Sequence, residues 1–88
     1  MIYYTASVTA KDIPKLDKTT ALRVKYTIEQ KLAANPILYG SPLGGTLKKL
    51  WKLRIGDYRV IYSMEKSDII VWAIAHRKDV YKLIARRI

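Results

Sequence analysis

Lys52, Arg54 and Arg59 lie on either side of Gly56-Asp57, within a stretch from Leu47 to Met64 rich in alternating apolar and polar residues. Glycine followed by aspartate suits a two-residue hairpin turn, because glycine accepts the positive φ that such a turn requires. That turn sets Ile55 opposite Tyr58, Arg54 opposite Arg59 and Leu53 opposite Val60. Directly paired residues share a face. Lys48, Lys52, Arg54 and Arg59 therefore project to one side, and Trp51, Leu53, Ile55, Tyr58, Val60 and Tyr62 to the other. Two arginines facing each other across a ladder cost stability, and a local conflict of this kind points to a site that needs the charge. Guanidinium binds phosphate oxygens through paired donors.

The chemistry open to such a face is metal-free cleavage of RNA. The ribose 2′-OH attacks the adjacent phosphorus, a base takes its proton, an acid protonates the leaving 5′-oxygen, and cations stabilise the pentavalent charge. A lysine set among arginines is a candidate base, because like charge favours its neutral form; tyrosine, histidine or a second lysine can serve as the acid. The 7 acidic residues are scattered and mostly flank turns or helix starts, a poor match to a carboxylate-clustered two-metal site. With no cysteine and a single histidine, no thiolate or His-rich metal site is expected, and no cofactor is called for. Further along, His76-Arg77-Lys78-Asp79-Val80-Tyr81 joins a strand to a terminal helix, so His76, Arg77 and Tyr81 reach the same face if that segment folds over the sheet edge.

These residues need a scaffold. Ile2 to Val8 reads as a first strand. Asp12-Ile13-Pro14 reads as a helix start, with Asp12 capping and Pro14 in the first turn. A longer helix is expected from Thr20 to Ala34, its buried stripe Ala21, Val24, Ile28 and Leu32, ended by Asn35-Pro36. Ile37 to Thr46 reads as a loop. Strands follow at Leu47–Ile55, Tyr58–Met64 and Ile69–His76, the last a continuous apolar run suited to a central strand covered on both faces. A short helix from Arg77 closes the chain. The order is β-α-α-β-β-β-α, an α+β fold with a helical hairpin packed on a small antiparallel sheet.

The chain has 88 residues and a net charge of +10, enough for one small domain, 1–88, with a thin core. The charge is uneven: six basic residues against three acidic up to Leu47, then eleven against four from Lys48 onward. That balance points to nucleic acid or an acidic protein partner, with the C-terminal half as the contact surface. The apolar run Ile69–Ala75 is too short to cross a bilayer, so a soluble cytoplasmic protein with no membrane contact is expected.

Taken together, Asn35-Pro36, Gly40, Leu43 to Leu47, the block Leu50-Trp51-Lys52-Leu53-Arg54-Ile55-Gly56-Asp57-Tyr58-Arg59-Val60-Ile61-Tyr62 and the closing His76 to Tyr81 resemble the RelE/ParE toxin superfamily of type II toxin–antitoxin modules. The resemblance covers essentially the whole chain and implies a RelE-like, microbial-RNase-type fold. In the RelE branch it implies an endoribonuclease that cuts mRNA in the ribosomal A site and arrests translation. Residue by residue, it implies proton transfer for Lys52, phosphate stabilisation for Arg59 and Arg77, and stacking on or orienting the target nucleotide for Tyr81. His76 falls at a position that varies among members. Lys48, Lys49, Arg54 and Lys78 are candidate RNA contacts, and Arg86-Arg87 a further basic pair. Leu50 stands where the bacterial RelE pattern has a lysine.

The superfamily also contains ParE-like toxins that trap DNA gyrase, and a degenerate non-catalytic member is a third reading. The implied partners are an acidic RelB-like antitoxin, the ribosome and mRNA, with DNA contacted only through the antitoxin.

Overall fold

A computed structural model describes residues 1–47 and 49–88. Strand β1 (Ile2–Tyr4) is shorter than its β-forming composition suggests, because the chain is already helical at residue 6 and stays so through residue 15. Pro14 therefore sits in a closing 3-10 turn (Ile13–Lys15) and not at a helix start. Asp12 makes no side-chain cap; it is buried, 3% exposed, and pairs with Arg87 from the far end of the chain. The residue that does cap a helix is Asp17, whose carboxylate accepts the Thr20 N–H at 2.7 Å and opens α1 (Lys18–Thr27). Hydrogen bonding from the Thr20 side chain first, and from its backbone N–H second, holds the Asp17 carboxyl below its usual pKa.

α1 widens into a π turn at Ile28–Leu32, and Val24, Ile28 and Leu32 are buried as the helical spacing predicts. The expected loop after it contains short regular pieces: α2 (Pro36–Tyr39), capped by Asn35 accepting the Leu38 N–H, then β2 (Ser41–Pro42) and a 3-10 turn (Gly45–Leu47). β3 (Trp51–Ile55), β4 (Tyr58–Glu65), β5 (Asp68–His76) and α3 (Val80–Arg87) complete the fold.

The strands form one five-stranded sheet in the order β1-β5-β4-β3-β2. The sequence suggests an antiparallel sheet; the observed sheet is mixed, because β1 runs parallel to β5 with Ile2 opposite Ile69. A parallel neighbour needs a crossover, and the intervening helices supply part of it. Nothing in a three-residue strand encodes the direction of a partner so distant in sequence. Gly56 adopts φ +59° at the β3–β4 turn, and the register is the expected one: Ile55 opposite Tyr58, Arg54 opposite Arg59, Leu53 opposite Val60.

Two cores result. On one face Leu53, Ile55, Val60, Tyr62, Val71 and Ile74 pack against Val8, Val24, Ile28 and Leu32 of the helical layer. On the other, Leu50, Ile61 and Ala73 pack against Val80 and Ile84 of α3. Burying the last two stabilises by roughly 3–6 kcal/mol, which matters because an eight-residue helix does not persist alone in water. β5 is covered on both faces, as its apolar run suggests. Among the described residues no helix is long and apolar enough to cross a membrane.

Candidate nucleic-acid interface

The second face of the sheet carries α3 over its apolar end and basic residues over the rest. Lys52 projects from β3, opposite Ile61, and Tyr81 from the first turn of α3. The two meet: Lys52 Nζ lies 3.5 Å from the Tyr81 hydroxyl and 5.9 Å from the ring centre. Tyr81 is exposed while its neighbour Val80 is fully buried, so the helix anchors on Val80 and presents the phenol.

Leu50, the departure from the RelE pattern, belongs to the core beneath α3 and is 7% exposed. A lysine there would place an ammonium where Val80 and Ile84 need apolar surface. Leu50 thus helps to seat the helix that delivers Tyr81.

The two arginines of the ladder behave differently. Arg54 is exposed, and among the described residues no hydrogen bond or ion pair holds its side chain. Arg59, expected to project beside it, is 7% exposed. Its Nη1 donates to the carbonyls of Gly56 and Tyr58, each at 2.9 Å, so the guanidinium folds back over its own hairpin turn. Like-charge repulsion across the Arg54–Arg59 pair is relieved by this retreat, and the turn carbonyls satisfy part of the buried cation.

The Arg77 N–H donates to the Asp57 carbonyl at 2.8 Å, which pins the turn after β5 beside the same hairpin tip. Arg77 and Lys78 are exposed in that turn, and Lys49 is exposed in the turn before β3. Arg23 of α1 reaches the tip as well: its guanidinium would lie 3.2 Å from a Cβ at Gly56. Its only sequence signal is its place off the buried stripe of α1. Lys48 lies outside the described residues.

His76 does not join Lys52 and Tyr81. It pairs directly with Tyr58, on the face that carries the helical layer, and the two rings meet edge to face at 5.8 Å. Its Nδ1 accepts the Lys78 N–H at 3.2 Å. The alternation of β5 decides this, since Ala75, not His76, stands opposite Arg59. Arg87 is likewise withdrawn from the basic surface, because it is hydrogen-bonded to Asp12 and its pKa is raised by that bond.

What assembles is a shallow cationic strip: Lys52 and Tyr81 in contact, Arg54 exposed beside them, and Arg59 tied to the turn. It sets cationic side chains and a phenol, groups whose chemistry suits phosphate contact and proton exchange, on one surface.

The fold is that of small RelE-type toxins. The toxin–antitoxin complex RelBE2 of Mycobacterium tuberculosis contains a chain that superposes with a TM-score of 0.82 at 23% identity, covering 88% of this chain and 96% of that one. The RelB–RelE complex of Methanococcus jannaschii gives 0.70 at 20% identity over 92% and 96%. The isolated RelE toxin of Escherichia coli gives 0.69 at 19% identity over 99% and 96%. No curated protein sequence matches the chain. Residues 2–81 match the family described as the ParE toxin of the type II toxin–antitoxin system parDE, and the chain belongs to that family, within the RelE/ParE superfamily.

Proposed function

We propose that this toxin is a ribosome-dependent mRNA endoribonuclease, acting as one domain over residues 1–88 in the cytoplasm. The contact between Lys52 and Tyr81, drawn from β3 and α3 onto one basic surface, is the observation that carries the reading. Lys52 takes the 2′-OH proton as that oxygen bonds to phosphorus. Tyr81 orients the target nucleotide with its ring and gives its hydroxyl proton to the departing 5′-oxygen as the P–O5′ bond breaks. Lys52 returns the proton to Tyr81, and Arg54 holds the scissile phosphate. Arg59 stabilises the pentavalent phosphorus once it leaves the turn carbonyls, and Arg77, Lys49 and Lys78 contact the RNA backbone. His76 has no part in this scheme. No strong base is present, so the ribosome supplies orientation and effective molarity by fixing the mRNA in the A site.

The similar structures from M. tuberculosis and M. jannaschii are toxin–antitoxin complexes. With a charge of +10, this chain is suited to an acidic antitoxin that covers the basic strip, and any operator DNA is contacted through that antitoxin.

Primer extension on a defined mRNA after brief induction tests the reading. Wild type should give breaks within translated codons; Lys52→Ala should abolish them, and Tyr81→Phe should weaken them by at least about 10²-fold if the hydroxyl takes part in proton transfer. Intact mRNA with growth arrest and gyrase-linked DNA breaks would instead support gyrase poisoning, the reading that the ParE family match favours. Intact mRNA without arrest would leave a non-catalytic member.

A further inference from the structure

Asp12 and Arg87 meet on the open edge of β5. β1 ends at Tyr4, opposite Val71, and the Thr5 N–H makes a last bond to the Val71 carbonyl at 3.2 Å. The β4–β5 ladder slips at the same place. Ile61 pairs with Ala73 and Tyr62 with Val71, which leaves Trp72 as a bulge, its Nε1 donating to Ser63 Oγ at 2.8 Å. Among the described residues no strand lies beside the outer edge of β5 from Trp72 onward, yet backbone groups there need partners.

Two side chains supply them. Asp12 Oδ2 accepts the Ile74 N–H at 2.9 Å, and Arg87 Nη1 donates to the Trp72 carbonyl at 3.0 Å. They are also bonded to each other through both guanidinium nitrogens, Nη1 to Oδ2 at 2.8 Å and Nη2 to Oδ1 at 2.7 Å. The pair therefore shows β5 one acceptor and one donor, as a neighbouring strand would.

We propose that Asp12 and Arg87 are positioning residues: together they act as a strand surrogate that fixes α3, and through it sets Tyr81 against Lys52. This rests on the nuclease reading for its catalytic consequence. Buried Val80 and Ile84 seat the first part of α3. Beyond Ile84 the helix buries no apolar side chain, and Arg87 ties its end to the sheet and to the first helical segment. Tyr81 is exposed, so its place over Lys52 depends on the helix being held. A displacement of about 1 Å at such a contact is enough to cost on the order of 10²-fold in rate.

The test combines amide hydrogen exchange by NMR on the full chain with single-turnover mRNA cleavage on programmed ribosomes. The variants are Arg87→Ala, Arg87→Lys and the double exchange Asp12→Arg with Arg87→Asp. Arg87→Ala should speed exchange in α3 on the order of 10–100-fold while β3 and β4 amides hold, because one partner of a buried pair is removed locally. The cleavage rate should fall by a comparable factor with the half-saturating ribosome concentration unchanged.

Arg87→Lys should recover part of both, since an ammonium reaches the carboxylate without the guanidinium fork. The double exchange restores opposite charges but sets a guanidinium against the Ile74 N–H and a carboxylate against the Trp72 carbonyl, so it should remain impaired. Unchanged α3 protection in Arg87→Ala, equal loss of protection across β4, or rescue by the double exchange would each overturn the proposal. A wild-type protein that leaves mRNA intact sinks the nuclease reading alone, and the exchange data still decide the surrogate.

Discussion

Replacing Arg54 and Arg59 by alanine, one at a time, should separate two roles that the ladder register makes look alike. Arg59 is 7% exposed and donates to two turn carbonyls at 2.9 Å. A hydrogen bond from a charged donor contributes about 1.5–3 kcal/mol net, and here a single nitrogen is shared between two acceptors. Arg59→Ala should therefore destabilise by roughly 1.5–3 kcal/mol, or about 6–24 °C in Tm for a domain of this size.

Arg54 is exposed and opposite Arg59, so Arg54→Ala loses no such bond and should leave Tm unchanged or raise it slightly. Its effect belongs in binding: each lost phosphate contact lowers the slope of log affinity against log salt by about 0.7 for single-stranded RNA. Thermal unfolding followed by circular dichroism, and fluorescence anisotropy with a labelled RNA across a salt series, measure the two quantities. An Arg59→Ala protein with unchanged Tm would refute the argument, as would an Arg54→Ala protein that loses as much stability.

Three further outcomes follow from the structure. The Tyr62 hydroxyl donates to the Pro36 carbonyl at 2.6 Å, and burial pushes its pKa up to about 12; Tyr62→Phe should cost about 1 kcal/mol in denaturant titrations at neutral pH. Because the folded pKa is raised, that contribution is complete below about pH 10 and is lost as the pH rises through 12, so the two proteins should converge there. Gly40→Ala would drive a Cβ into the Tyr62 hydroxyl and should destabilise by roughly 1–3 kcal/mol, read as a lower urea midpoint. Tyr4 carries a buried hydroxyl without a partner among the described residues, so Tyr4→Phe should stabilise by about 1 kcal/mol, seen as a Tm several degrees higher.

Much of this molecule is legible in short stretches of sequence. Gly56-Asp57 sets the β3–β4 register, alternation sorts Lys52 and Arg54 from Trp51, Leu53 and Ile55, and the spacing of Val24, Ile28 and Leu32 names the buried side of α1. Turn chemistry and side-chain period act over a few residues, so a linear reading captures them. The same reading goes astray where a short-range signal is ambiguous. Asp12-Ile13-Pro14 carries the composition of a helix start, yet the helix begins earlier and Asp12 is drawn inward by Arg87. His76 neighbours Arg77 in sequence, but pleating turns it to the face of Tyr58.

By itself, then, the sequence determined the class of fold, the basic strip and the residue types able to handle phosphate and protons. Tertiary structure decided which of them meet: Lys52 with Tyr81, Arg59 with its own turn, Arg87 with Asp12. Charge and periodicity are properties of the chain, whereas these partners depend on how the sheet ends. β1 stops at Tyr4, the outer edge of the second half of β5 has no strand beside it among the described residues, and a backbone donor and acceptor there must be satisfied by side chains that lie 62 and 15 residues away.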